Sequence, residues 1–157
     1  MRYWLMKSEP DEFSIDDLVQ ARGQRTSWFG VRNYQARNYM QSMQVGDLAL
    51  FYHSSCPEPG IAGIVEVVGL AHPDVTQFDP KSPYFDAKSP RDAPRWFNVD
   101  VKLVEKTRLV SLPEMRADPA LGTMITLRRG NRLSITPVTP TEWKAVRKLV
   151  AHKAPRA

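Results

Sequence analysis

A single cysteine, Cys56, in 157 residues rules out an internal disulfide and a thiolate-rich zinc site. Histidine is nearly as scarce: the three, at positions 53, 72 and 152, are far apart in sequence, so no structural metal is expected. No segment approaches the roughly 18 to 20 continuous apolar residues of a membrane-crossing helix, and the opening MRYWLMKSEPDEF lacks the apolar stretch of a secretion signal. The expected location is cytoplasmic, with association to a nucleoid as a variant, or nuclear in a eukaryote. A phosphate loop, a dinucleotide glycine fingerprint, a nucleophile elbow and an HExxH pair are all missing, which removes the commonest cofactor-using classes. No cofactor is expected. Internal repeats and low-complexity stretches are absent too.

What is present fits one globular domain, expected over residues 1–152, with a frayed basic tail at 153–157. Hydrophobic residues make up 42% and charged residues 25%, both ordinary, while 13 prolines promise many fixed loops. Charge is uneven. Residues 1–78 carry 6 Lys and Arg against 9 Asp and Glu, and residues 79–157 carry 16 against 8. A basic second half suits a polyanionic partner such as nucleic acid.

The aromatic run Tyr3-Trp4 with Leu5 and Met6, ended by Ser8-Glu9-Pro10, predicts a strand over 1–7. Ser14 followed by Asp17 predicts a capped helix that Gly23 ends. Leu48–His53 and Ile61–Leu70 read as strands, the second apolar on both faces and so central. Between His72 and Pro94 lies a long loop rich in Pro, Asp and Ser, with Phe78, Tyr84 and Phe85 interspersed. Arg95 to Lys106 alternates as a half-buried strand, Ser111 with Glu114 starts a short helix, Leu133–Val138 reads as a strand, and Thr139-Pro140-Thr141-Glu142 caps the last helix. Strands and helices do not alternate, so the expected fold class is α+β around a small, mostly antiparallel sheet curled toward a barrel.

The stretch WFGVRNYQARNYM, residues 28–40, sets bulky aromatics beside hydrogen-bonding cations. Its helix is expected to bury Ala36, Tyr39, Met40 and Met43, with Arg32 one turn earlier on the same stripe, Asn33 flanking it, and Arg37 and Asn38 solvated. Trp28 beside Gly30 either packs in the core or walls a pocket. Arg32 either reads the edge of a heteroatom-rich ligand or pairs with a carboxylate such as Asp100. Lys7-Ser8 and His53-Ser54, at two strand ends, can build one polar rim. Arg128, Arg129 and Arg132 around Gly130-Asn131 form a basic turn suited to phosphate contacts or simply to solvent. A Cys56/His53 nucleophile pair lacks an orienting third residue and reads as an incidental loop cysteine.

Taken together, YWLMKSEPDEFSIDDL, WFGVRNYQARNYM, VGDLALFYHS, GIAGIVEVV, DPKSPYFDAKSP, PRWFNVDV and RRGNRLSITPVTPTEW resemble the EVE domain family across almost the whole chain. The resemblance implies a PUA-like fold, a curved and mostly antiparallel β-barrel of about five to six strands with peripheral helices, related to the YTH readers of methylated adenine. It further implies a monomeric partner of DNA or RNA carrying a modified base, such as methylated or hydroxymethylated cytosine. By similarity to those readers, an aromatic pocket should form where Trp28, Lys7 and Ser8 meet the loop 78–85, with Tyr84, or else Phe78 or Phe85, as the second wall. The main rival is a hydrolase resembling ASCH proteins that acts on modified nucleosides or RNA through Lys7, Ser8 and His53. A protein-interaction module is a third possibility.

Overall fold

The computed structural model describes residues 1–152; the expected frayed tail lies outside them. Six strands form one sheet: β1 (Tyr3–Ser8), β2 (Arg25–Ser27), β3 (Leu48–His53), β4 (Gly60–Pro73), β5 (Phe97–Ser111) and β6 (Ile135–Val138). Their spatial order is β2-β5-β4-β3-β1-β6, antiparallel throughout except for β1 against β3. Repeated register shifts along the long β4–β5 ladder bend the sheet. Helices α1 (Ile15–Gln20), α2 (Tyr34–Ser42), α3 (Leu112–Ala117) and α4 (Pro140–Ala151) complete the expected α+β domain. Among the described residues no helix is long and apolar enough to cross a membrane.

Strand alternation divides the interior in two. Along β1, Trp4 and Met6 face one cluster with Phe51 and with Leu18, Ala36 and Met40 of α1 and α2. Leu5, between them, faces the other cluster with Leu50, Met115, Trp143 and Val146, beneath α3 and α4. Both faces of the central strands are therefore buried, which explains why β4 lacks alternation in its first half. At Gly63 a Cβ would lie 2.4 Å from Ile15 Cδ1, so α1 reaches the sheet only because no side chain stands there.

Local signals act as the sequence predicts at three helix starts. Ser14 with Asp17 and Thr139 with Glu142 form reciprocal capping boxes, and the Ser111 hydroxyl accepts from the Glu114 N–H. The start of α2 differs from expectation. The helix begins at Tyr34, and Arg32 precedes it in the connecting segment. Asn33 is its N-cap, with φ −118° and its side-chain oxygen accepting from the Ala36 N–H at 3.0 Å. Capping chemistry set this boundary where hydrophobic periodicity alone ran on too far. Ala36, Met40 and Met43 are buried as predicted. Arg37 is half-buried, not free in solvent, donating to the Arg95 carbonyl at 2.9 Å with its guanidinium 4.8 Å from the Tyr34 ring centre. Strand β2 was not foreseen, because three residues hydrogen-bonded to β5 alone carry no period of their own.

Candidate functional site

Because β1 and β3 run parallel, Ser8 and His53 are register partners and the two strands end on the same side of the sheet. The segments leaving those two ends therefore wall one space. Lys7, Ser8, Glu9, Glu12 and Phe13 from the first end meet Ser54 and Ser55 from the second. The segment from Thr26 to Arg32, together with Tyr84, Arg132 and Ser134, closes a concavity of about 540 Å³. That volume lies within the range of small-ligand sites.

Trp28 serves in both of the roles weighed for it. It is only 7% exposed and packs edge-on against Phe51 with centroids 5.2 Å apart, yet it also lines the concavity. Tyr84 lines it as well. Its ring lies directly on Gly30, where an added Cβ would fall 2.8 Å from Cζ and where φ is +84°. Only glycine accommodates both the left-handed backbone and the ring. The Tyr84 hydroxyl donates to the Glu12 carboxylate, and burial together with that acceptor pushes its pKa well above the ordinary phenol value. Phe29 meets Tyr84 edge-to-face at 5.8 Å.

Arg32 lines the space but has no donor left for a ligand. Nε and Nη2 both donate to the Tyr84 carbonyl (3.0 and 2.8 Å), Nη2 also to the Thr76 hydroxyl (3.0 Å), and Nη1 to the Val31 carbonyl (2.9 Å) and to Asp74 (3.1 Å). All five N–H groups are thus engaged. The expectation that Arg32 reads a ligand edge is corrected, and its carboxylate partner is Asp74, not Asp100. Asp74 is fully buried and also accepts from the Gly30 N–H at 2.7 Å and from the N–H and hydroxyl of Thr76. Burial pushes its carboxyl up, but the hydrogen bonds from Thr76, Gly30 and Arg32 outweigh that and hold its pKa below the ordinary carboxylate value. One ion pair therefore anchors both aromatic walls, Trp28 through Gly30 and Tyr84 through its carbonyl. Buried Gln77 fixes the rest of the long loop, donating to the carbonyls of Asp74 and Trp96 and accepting from Ser89 and the Trp96 N–H.

Lys7 makes no ion pair with any described residue, and burial alone lowers its pKa. Its Nζ lies 5.8 Å from the Tyr52 ring centre. The Ser8 hydroxyl donates to the Phe13 carbonyl at 2.6 Å. His53 Nε2 accepts from the Ile15 N–H at 3.1 Å, so the ring is neutral and caps α1. Burial, partly opposed by Asp16, lowers its pKa and favours that state. The Ser8 hydroxyl and His53 Nε2 are thus each bonded to the chain around α1.

Other predicted positions fall into two groups. Ser54 and Arg132 line the concavity with Lys7, Ser8, Trp28, Arg32 and Tyr84. Asn33, His53 and Phe78 do not: Asn33 caps α2, His53 caps α1, and Phe78 sits under Arg91, 5.0 Å from its guanidinium. Of the basic turn, Arg128, Arg129 and Asn131 lie outside the concavity, with both arginines exposed and Gly130 at φ +78° making the turn. The lining residues that were missed include Glu9, Glu12, Phe13, Phe29 and Ser55. The parallel pairing of β1 with β3 is the signal that would have found the residues beyond the two strand ends, and it is a long-range fact. No group of His, Cys, Asp and Glu among the described residues is arranged to hold a metal ion.

Comparison with known proteins gives concordant results. A family profile described as "EVE domain" matches residues 2–149. Thymocyte nuclear protein 1 of Gallus gallus is 44% identical over 170 residues, covering 96% of this chain and 69% of that protein. A solved protein from Pseudomonas syringae is 47% identical with a TM-score of 0.90, covering 94% of this chain and 98% of that one. The human THYN1 protein, solved in complex with 5-methylcytosine containing DNA, is 42% identical with a TM-score of 0.92, covering 98% and 100%. A YTH domain of Zygosaccharomyces rouxii shares the fold at 14% identity and a TM-score of 0.53, over 95% of this chain and 86% of that one.

Proposed function

This chain belongs to the EVE domain family, and from that membership we propose that it is a non-enzymatic reader of DNA bearing a methylated or hydroxymethylated cytosine, taken extruded into the concavity beside Trp28. The observation that carries the reading is a concavity of about 540 Å³ with two aromatic walls, Trp28 and Tyr84, both fixed by one ion pair built on the buried Asp74. A planar heterocycle stacked on such walls gains ~1–3 kcal/mol per aromatic contact. The human relative solved with 5-methylcytosine containing DNA supports the same class of ligand.

Each remaining polar group has a defined task in this reading. Lys7 offers an ammonium that burial has partly stripped of water, suited to a base carbonyl or a backbone phosphate oxygen. Arg132, exposed at the rim, contacts the strand's phosphates, with Arg128 and Arg129 alongside in sequence. Such a partner sets the place of action at a nucleoid or in a nucleus. The hydrolase reading has less support, since Ser8 and His53 are committed to holding the chain around α1.

The test is direct binding to matched oligonucleotides carrying cytosine, 5-methylcytosine or 5-hydroxymethylcytosine at one position, using wild type and Tyr84→Ala. Wild type is expected to prefer a modified strand, and Tyr84→Ala to lose most of that preference. Equal wild-type affinity for all three strands would refute the proposal. Product formation from modified nucleosides, detected by mass spectrometry and lost in Lys7→Ala, would restore the hydrolase.

A further inference from the structure

The turn that walls the concavity carries two adjacent aromatics with opposite fates. Trp28 is 7% exposed, whereas Phe29 is 44% exposed. Exposure of Phe29 does not come from a loose loop. Three consecutive backbone N–H groups are tied, Trp28 to the Val99 carbonyl at 2.8 Å, Phe29 to the Ser27 carbonyl at 3.1 Å and Gly30 to Asp74 at 2.7 Å. The tied turn thus holds a partly exposed apolar ring on the lining of the site, edge-to-face with Tyr84.

Other exposed aromatics are differently placed. Tyr34 is 51% exposed, but its ring is stacked on Trp96 at 4.9 Å and lies 4.8 Å from the Arg37 guanidinium. Phe85 is 42% exposed and does not line the concavity. Phe29 alone among them combines an open ring with a place on the rim.

Resting on the base-reading function above, we propose that Phe29 is a second nucleotide-contacting residue, stacking on the base next in the strand to the one taken into the concavity. Extruding a base unstacks its neighbour, and an apolar side chain beside the gap replaces the lost stacking partner. Trp28 and Phe29 then act as one unit, the first receiving the modified base and the second capping the stack it left.

A thermodynamic cycle tests this. Affinities of wild type and Phe29→Ala are measured for a single-stranded oligonucleotide with one 5-methylcytosine, and for two versions with an abasic site immediately 5′ or 3′ of it. On one of the two sides wild type is expected to lose about tenfold when the flanking base is removed, as expected for one stacking contact. Phe29→Ala should bind the complete strand about tenfold more weakly and lose no more than about twofold further on the same removal. Additive losses on both sides would overturn the inference. If wild type does not prefer 5-methylcytosine to cytosine in the complete strand, the base-reading function itself fails. A retained preference with no coupling sinks the Phe29 proposal alone.

Discussion

Replacing Asp74 by asparagine keeps the shape of the side chain and removes its charge, which isolates the role of the ion pair. Four donors converge on the carboxylate: the Gly30 N–H (2.7 Å) and Arg32 Nη1 (3.1 Å) on Oδ2, and the Thr76 N–H (2.9 Å) and hydroxyl (2.5 Å) on Oδ1. Asparagine offers one oxygen. Its cheaper orientation keeps that oxygen toward Gly30 and Arg32 and turns the amide toward Thr76, whose hydroxyl can rotate to accept while its N–H loses its partner. The cost combines a buried N–H left unsatisfied, about 1–3 kcal/mol, with the weakening of two bonds from charged to neutral. Breaking a fully buried pair costs roughly 3–5 kcal/mol, but the Arg32 side chain is 22% exposed and can draw in water, so about 3 kcal/mol is expected. For a domain of this length that is a fall in Tm of roughly 6–12 °C. Urea unfolding followed by tryptophan fluorescence measures it. The pH dependence supplies an independent reading. A carboxylate whose folded pKa is depressed stabilises above its unfolded pKa, about 3.9, and that stability is lost as pH falls through the folded value. The gap between wild type and Asp74→Asn should therefore be constant from about pH 5 to 8 and shrink below about pH 4. A loss under about 1 kcal/mol, or a gap independent of pH down to acid unfolding, would refute the claim that this pair anchors both walls.

Three further outcomes rest on the same geometry. Gly30→Ala sets a Cβ 2.8 Å from the Tyr84 ring at φ +84°, so it should cost about 1–2 kcal/mol and weaken modified-strand binding; thermal melts and titrations check both. Lys7→Met removes an ammonium that burial disfavours, so Tm should not fall, while affinity drops about tenfold if the lysine donates to the ligand; a fall in Tm with unchanged affinity would reverse its assignment. Arg132→Ala should lower affinity for modified and plain strands alike and reduce the slope of log affinity against log salt by about 1, as loss of one phosphate contact requires.

How much was legible in the sequence depends on the range of the forces involved. Caps, turns and the alternation of Phe97 to Leu103 are local, and the elements they set were readable from short windows. The position of Trp28 beside Gly30 left core and pocket both open, and Tyr84 could be set before Phe78 and Phe85 only by family resemblance, because which aromatic of a long irregular loop reaches the concavity is a long-range fact. Arg32 was misread for a physical reason. Its partner Asp74 lies 42 residues away in a segment without periodicity, and nothing in the sequence ranks Asp74 above Asp100. Asp100 instead accepts from the Ser27 hydroxyl at 2.6 Å and lies 3.1 Å from His72 Nε2.

The full engagement of Arg32 constrains how specificity can be built. A guanidinium with free donors would discriminate ligands by hydrogen bonds of its own. One with every N–H engaged can act only by holding other groups still. Under the proposed function, ligand contacts then pass to Lys7, to the aromatic faces and to Ser54 and Ser55, while Arg32 and Asp74 hold the concavity in shape. Forming the walls in advance lowers the ordering cost of binding, about 0.5–1.5 kcal/mol per immobilised side chain. Conservative replacement should separate the two designs: Arg32→Lys retains one cation but cannot reach the Tyr84 carbonyl, Thr76 and Asp74 at once. If Arg32 acts by holding, the loss of affinity should scale with the loss of stability and fall equally on every modified base. If it touched the ligand, the loss would instead depend on which base is presented.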